Sequence, residues 1–173
     1  MTLVVLAVVT LGLWRVARPT GAERVQDRTG RLSLILPGAW SASGDGWTGP
    51  DGTVTPPEPS LIVAPDPHAW ARSRAVPGAF VTITTHAAAT PEAQVAGAAH
   101  EGCDRGPTRT RELGDFTWTL VRFRACPGAG PDWLEAAAAG PGGTVVWAQV
   151  AAAKNASDEV ADPLLASVRV KPA

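Results

Sequence analysis

The apolar positions of this chain fall into short runs, most of them with a period of two. Leu32, Leu34 and Leu36 alternate with Ser33 and Ile35, and with the extended stretch before Thr29 and Gly30 they predict a strand pair over residues 24–36. Ser60–Ala64 reads as a short apolar strand between prolines. Along residues 79–86, Phe80, Thr82, Thr84 and His86 take one face and Val81, Ile83 and Thr85 the other, which is β-branched strand material. Residues 133–139 and 144–152 are apolar on both faces and flank Gly140-Pro141-Gly142-Gly143, so they read as central strands covered on both sides. From Thr108 the pattern becomes a hairpin, with Gly114 and Asp115 as a two-residue turn that sets Leu113 opposite Phe116 and Arg111 opposite Trp118. Residues 41–59, rich in Ser, Gly, Asp and Pro, predict a loop.

Three stretches carry helix signals instead. Asp66 can cap a helix with Pro67 at its first position, running to about Arg74. Thr90 and Pro91 open a second one, through roughly Glu101. The third follows the capping region over residues 155–158, where Val160, Leu164, Leu165 and Val168 form an apolar stripe that Pro163 either kinks or restarts after Asp162. With 18 Gly and 16 Pro among 173 residues, the elements must be short and the turns many. No internal repeat is visible. The expectation is one α+β domain over residues 23–173, an antiparallel β-sheet flanked by helices.

The apolar run over residues 3–14 is too short to span a bilayer but long enough for the core of an export signal, so residues 1–22 read as a signal peptide or an N-terminal membrane anchor. Arg15, Arg18 and Arg24 lie on the wrong side of it for export, which a start further upstream would reconcile, and a buried first strand is the alternative. Cys103 and Cys126 are the only thiols; an exported chain with an even count favours their pairing, while a cytosolic one would leave two buried free cysteines. A formal net charge of −1 supplies no field to draw in nucleic acid, which is excluded as a partner on that ground.

The run GRLSLILPGAW over residues 30–40, the run PSLIVAPD over residues 59–66 followed by a helix, the spaced Cys103 and Cys126, and the closing run LLASV over residues 164–168 resemble the PsbP/Mog1-like domains of actinobacteria, over about residues 24–171. The resemblance implies a Mog1/PsbP-like sandwich, exported or tethered to the membrane, of the kind also found attached to membrane Ser/Thr kinases and trypsin-like proteases. It implies no catalytic set.

Reactive chemistry is sparse. No Ser or Cys nucleophile motif occurs, and Asp66-Pro67-His68 is better explained by helix capping than by a catalytic His68. His86, His100 and Cys103 can be drawn as a metal set, but it lacks a fourth ligand and paired spacing; no metal and no cofactor are expected. The one concentration of charge is Arg105, Arg109, Arg111, Arg122 and Arg124. In the hairpin register above, Arg109, Arg111, Arg122 and Arg124 share a face with Trp118, which could grip an anion or a partner, against the alternative of a solvated face that protects an edge strand. Trp47 is the candidate for an exposed loop contact, with a loop anchor as the alternative. The expected function is a non-enzymatic extracytoplasmic binding or accessory domain, monomeric, contacting a protein or cell-envelope ligand; the competing reading is an envelope hydrolase or metal-dependent enzyme with a site built from loops 41–59 and 87–107.

Overall fold

The computed structural model describes residues 22–86, 90–128, 130–154 and 160–172. The expected signal or anchor segment, except for its last residue, and the capping region before the last helix lie outside the described residues. A small sheet of β1 (Arg24–Gln26), β2 (Leu32–Ile35) and β11 (Arg169–Val170) stands in the order β1-β2-β11. The large sheet comprises β3 (Ser41–Ser43), β4 (Ser60–Ala64), β5 (Gly78–Thr84), β6 (Asp104–Arg105), β7 (Arg109–Leu113), β8 (Phe116–Arg124), β9 (Asp132–Ala139) and β10 (Val145–Ala152). Its order is β3-β4-β5-β10-β9-β8, with β6 and β7 both paired to the outer side of β8, and every pairing is antiparallel.

The alternation expected from the sequence decides which residues each face buries. Leu61, Val63, Val81, Ile83, Val146, Ala148, Leu134, Ala136, Trp118 and Leu120 point to one side and meet Leu32 and Leu34 of the small sheet, Leu164 and Leu165 of α3 (Ala161–Ser167) and Val168 just after it. The opposite face is covered by α1 (Pro67–Ser73), whose Trp70 is fully buried, and α2 (Pro91–Ala96), which inserts Val95. This is an α+β sandwich with the sheet in the middle.

Local chemistry accounts for the joints. Asp27 accepts from the Thr29 N–H and hydroxyl and from the Leu32 N–H, at 2.7, 2.6 and 2.7 Å, which closes the β1–β2 turn around Gly30, whose φ is +70°. Asp66 caps α1 by accepting from the Ala69 N–H at 2.9 Å. Thr90 caps α2, which stops at Ala96 rather than near Glu101 because Gly97 ends it. Pro163 falls in the first turn of α3, where no N–H is required, so it neither kinks nor restarts the helix. The loop expected over residues 41–59 contains the short edge strand β3 and a bridge between Trp47 and Glu58. No helix among the described residues is long and apolar enough to cross a membrane.

Candidate functional site

The outer edge of the large sheet is broken. β6 pairs in the register Asp104↔Arg124 and Arg105↔Phe123, whereas β7 pairs in the register Arg109↔Leu120, Arg111↔Trp118 and Leu113↔Phe116. Between the two, three residues, Gly106, Pro107 and Thr108, oppose the two residues Val121 and Arg122, so one extra residue is accommodated as a β-bulge. Because side chains alternate, that residue exchanges the faces: Arg105 goes to the helix-covered side with Phe123, while Arg109 and Arg111 come to the side of Arg122 and Arg124. Arg105 accordingly donates to the Val95 carbonyl at 3.2 Å and lies 5.5 Å over the Phe123 ring.

The break opens a hollow of about 500 Å³ whose walls include Arg109, Arg111, Arg122 and Arg124, with Asp104, Pro107 and Leu120. Arg111 donates to both carboxylate oxygens of Asp162, at 2.7 and 2.9 Å, which fixes it against α3. Arg109 and Arg124 are solvent-exposed and Arg122 is half-buried. Burial holds the Arg122 guanidinium below its ordinary value and the neighbouring Arg124, Arg111 and Arg109 push the same way, while Asp162 opposes them. A guanidinium stays charged throughout this range, so the hollow is lined by charged arginines, with Arg111 paired to Asp162 and Asp104 in the same wall.

Trp118 shares the arginine face, but its position rules out a contact role: it is fully buried and donates to the Leu113 carbonyl at 3.3 Å, so it forms the floor beneath the hairpin. Trp47 is half-buried, 5.8 Å from Trp147 and 6.3 Å from Phe80, and so occupies the loop-anchor position. Cys103 and Cys126 form a disulfide. It joins the residue before Asp104 to a residue just past Arg124 and so clamps β6 to the end of β8.

Two further polar clusters are not apparent in the sequence. Glu135, on the helix-covered face of β9, is buried and accepts from His100 Nε2 at 2.8 Å, Gln149 Nε2 at 2.8 Å and Trp147 Nε1 at 2.9 Å. His100 stacks on Trp133 with centroids 4.6 Å apart and meets Phe123 edge-on. The signal for this cluster is a single acidic residue in the apolar run of a central strand, opposite Gln149. Glu58 accepts from His86 Nδ1 at 2.9 Å and from the Thr85 N–H and hydroxyl at 2.8 and 3.1 Å. Thr85 meets His86 through the same Nδ1, at 3.4 Å, so its hydroxyl is not presented to Nε2 as a nucleophile oriented by an acid–His pair would be. The three residues of the drawn metal set are separated by these roles: His86 is on Glu58, His100 on Glu135 and Cys103 in the disulfide. Among the described residues, no group of three or more His, Cys, Asp or Glu is placed to hold a metal ion.

The layer order and the all-antiparallel sheet define a PsbP-like α+β fold. The chain is similar in structure to cyanobacterial PsbP (CyanoP) from Synechocystis sp. PCC 6803, with a TM-score of 0.52 and 13% identity over 93% of this chain and 99% of that one. It is also similar to a protein of Bacteroides thetaiotaomicron VPI-5482 known from a crystal structure, with a TM-score of 0.51 and 11% identity over 87% of this chain; it spans about half, 49%, of that protein. At such identities the likeness is one of fold. No family model and no curated protein matches the chain.

Proposed function

We propose that this protein is a non-catalytic binding or accessory domain that works outside the reducing cytosol and contacts an anionic ligand of the cell envelope through its arginine hollow. The observation that carries this reading is the edge-strand bulge, which turns Arg109 and Arg111 to the side of Arg122 and Arg124 around one concavity. Location outside the cytosol is supported by the disulfide, which a glutathione-buffered compartment would keep reduced. The accessory role is supported by the PsbP-like fold. The competing enzymatic reading has its best footing in the Glu58–His86 pair, which among the described residues shows no nucleophile presented to it.

The test compares the full chain with its Arg109→Ser/Arg111→Ser/Arg122→Ser variant on vesicles of phosphatidylcholine mixed with an anionic phospholipid. Retention by the wild type that falls in the variant, and that weakens with added salt, is expected. Equal retention of the two proteins overturns the reading.

A further inference from the structure

One end of the large sheet, where β4 begins, β5 ends and β10 begins, holds a second concavity, of about 250 Å³, with Arg31 from the turn between β1 and β2 in its wall. It shares no described residue with the arginine hollow. Arg31 Nε is buried there and meets no acceptor. The guanidinium enters no ion pair with a described carboxylate. A donor buried without a partner has given up its hydration for nothing in return, so this one points to an acceptor brought by another molecule.

The other polar groups of the wall accept. The Thr85 N–H, the Thr85 hydroxyl and His86 Nδ1 all converge on Glu58 Oε1, so Oε2, buried beside it, keeps lone pairs of its own. A neutral imidazole that donates through Nδ1 carries its acceptor at Nε2. The Thr144 hydroxyl gives its proton to the Pro141 carbonyl at 2.9 Å, which leaves its oxygen able to accept. One forked cation therefore shares the concavity with a set of acceptors that includes an anion.

A carboxylate is the planar, two-oxygen partner of a single guanidinium. An ammonium brings three N–H donors and a positive charge to Glu58, His86 and Thr144, where a hydroxyl would bring one donor and no charge. The two groups on one carbon make an α-amino acid. The volume lies below the roughly 300–1,000 Å³ of drug-sized sites, and Pro56, Pro59 and Ile83 form an apolar wall for a short side chain. We infer that this pocket binds a small α-amino acid as its zwitterion, with the carboxylate on Arg31 and the ammonium on Glu58. It is a second site, independent of the anion reading of the hollow.

Isothermal titration of the full chain with L-alanine, L-lactate and L-alaninamide tests the assignment. Lactate exchanges the ammonium for a hydroxyl, and alaninamide exchanges the carboxylate for a neutral amide. Alanine is expected to bind about tenfold or more tightly than either, as the loss of one charge-assisted hydrogen bond implies. Arg31→Met, which keeps an apolar stem and removes the fork, should lower alanine affinity about tenfold or more without lowering the melting temperature, because the buried Nε it removes has no acceptor in the protein. Arg109→Ser/Arg111→Ser/Arg122→Ser should bind alanine as the wild type does.

Lactate or alaninamide binding as tightly as alanine overturns the zwitterion assignment. Alanine affinity that survives Arg31→Met, or that disappears in the hollow variant, overturns the assignment to this pocket. Absence of binding at about 10 mM alanine, tenfold above a Kd of about 1 mM, overturns the proposal outright and leaves Arg31 Nε to a bound water. The vesicle comparison decides the anion reading of the hollow separately.

Discussion

Arg109 stands opposite Leu120 across β7 and β8, one residue out of step with the Asp104–Arg124 pairing further along the same edge. Both registers are pinned from outside. The two-residue turn at Gly114 and Asp115 holds β7, and the disulfide beside Asp104 holds β6. The extra residue between them is therefore required. Deleting Pro107 forces one pairing to yield, and β6, with two residues, is the weaker. The deletion variant should lose hydrogen-exchange protection at the Gly106 amide, which donates to the Arg122 carbonyl at 2.8 Å, while amides of β7 keep theirs. Loss of protection along β7 with retention at Gly106 would reverse the assignment of which register dominates.

The hairpin turn is also locked onto α3. Gly114 has φ +64°, and a Cβ built on it would overlap the Ala166 carbonyl, so both conformation and space exclude a side chain. Arg169 meets Asp115 at 3.0 Å on the next residue of the turn. Gly114→Ala should destabilise the fold by about 2–4 kcal/mol, through strain at positive φ and displacement of backbone against backbone. Urea unfolding measures it. The control Gly128→Ala, also at positive φ but with open space around the added Cβ, should cost about 1–2 kcal/mol, so equal losses would show that the contact with α3 adds nothing.

Much of this arrangement is legible in the sequence because period-two patterning and two-residue turns act locally. The Leu113–Phe116 and Arg111–Trp118 pairs follow from one Gly-Asp turn, and the arginine face follows from them. What was not legible depends on contacts far apart in the chain. β3 and β11 are too short and too polar for periodicity to mark, and they form because β4 and β2 offer free edges. The bulge is a mismatch between two registers, and no window shorter than the whole edge contains both. Trp118 shares the arginine face by register, yet its place in a strand marks it for the core, and it is fully buried beneath the hairpin.

Glu135 tests whether a buried charge in the sheet organises its surroundings. Its three donors come from the segment after α2 and from β10, so removing the carboxylate leaves His100, Trp147 and Gln149 facing no acceptor. Glu135→Ala should cost about 3–5 kcal/mol by that route, and Glu135→Gln, which keeps one acceptor, about 1–3 kcal/mol. Denaturant titration of both variants gives the ranking. A Glu135→Leu protein as stable as the wild type would show that apolar filling replaces the network, and that its worth lies in positioning His100 rather than in stability.

Glu58 gives the fold a pH dependence of definite sign. Burial alone would raise its carboxyl, but hydrogen bonds from the Thr84 hydroxyl, the Thr85 N–H, His86 and the Thr85 hydroxyl outweigh it and hold the group below its ordinary value of 4.5. A carboxyl depressed in the folded state stabilises that state above the unfolded value, and the contribution disappears as pH falls through the folded one. The melting temperature of Glu58→Gln should therefore lie below that of the wild type at neutral pH, and the gap should close on acidification below about 4.5. A gap of constant size from neutral to acid pH would assign the loss to packing instead.

The disulfide clamps β6 to the end of β8, beside Asp104 of the hollow's wall, and its removal should be felt in two measurements of different kinds. Cys103 and Cys126 are 23 residues apart in sequence, and cross-linking a loop of that length stabilises a fold by roughly 3 kcal/mol, which for a domain of this size corresponds to about 6–12 °C in melting temperature. Cys103→Ser/Cys126→Ser should show that loss by calorimetry. Because Cys103 directly precedes Asp104 and also leads back to His100, freeing it loosens β6 and the stacked His100–Trp133 pair together. Tryptophan emission from the native state should therefore change at temperatures well below the melting transition, and oxyanion affinity should drop with it. A variant that melts earlier but keeps both the emission and the affinity would confine the bridge to restricting the unfolded chain, with no part in holding the hollow open.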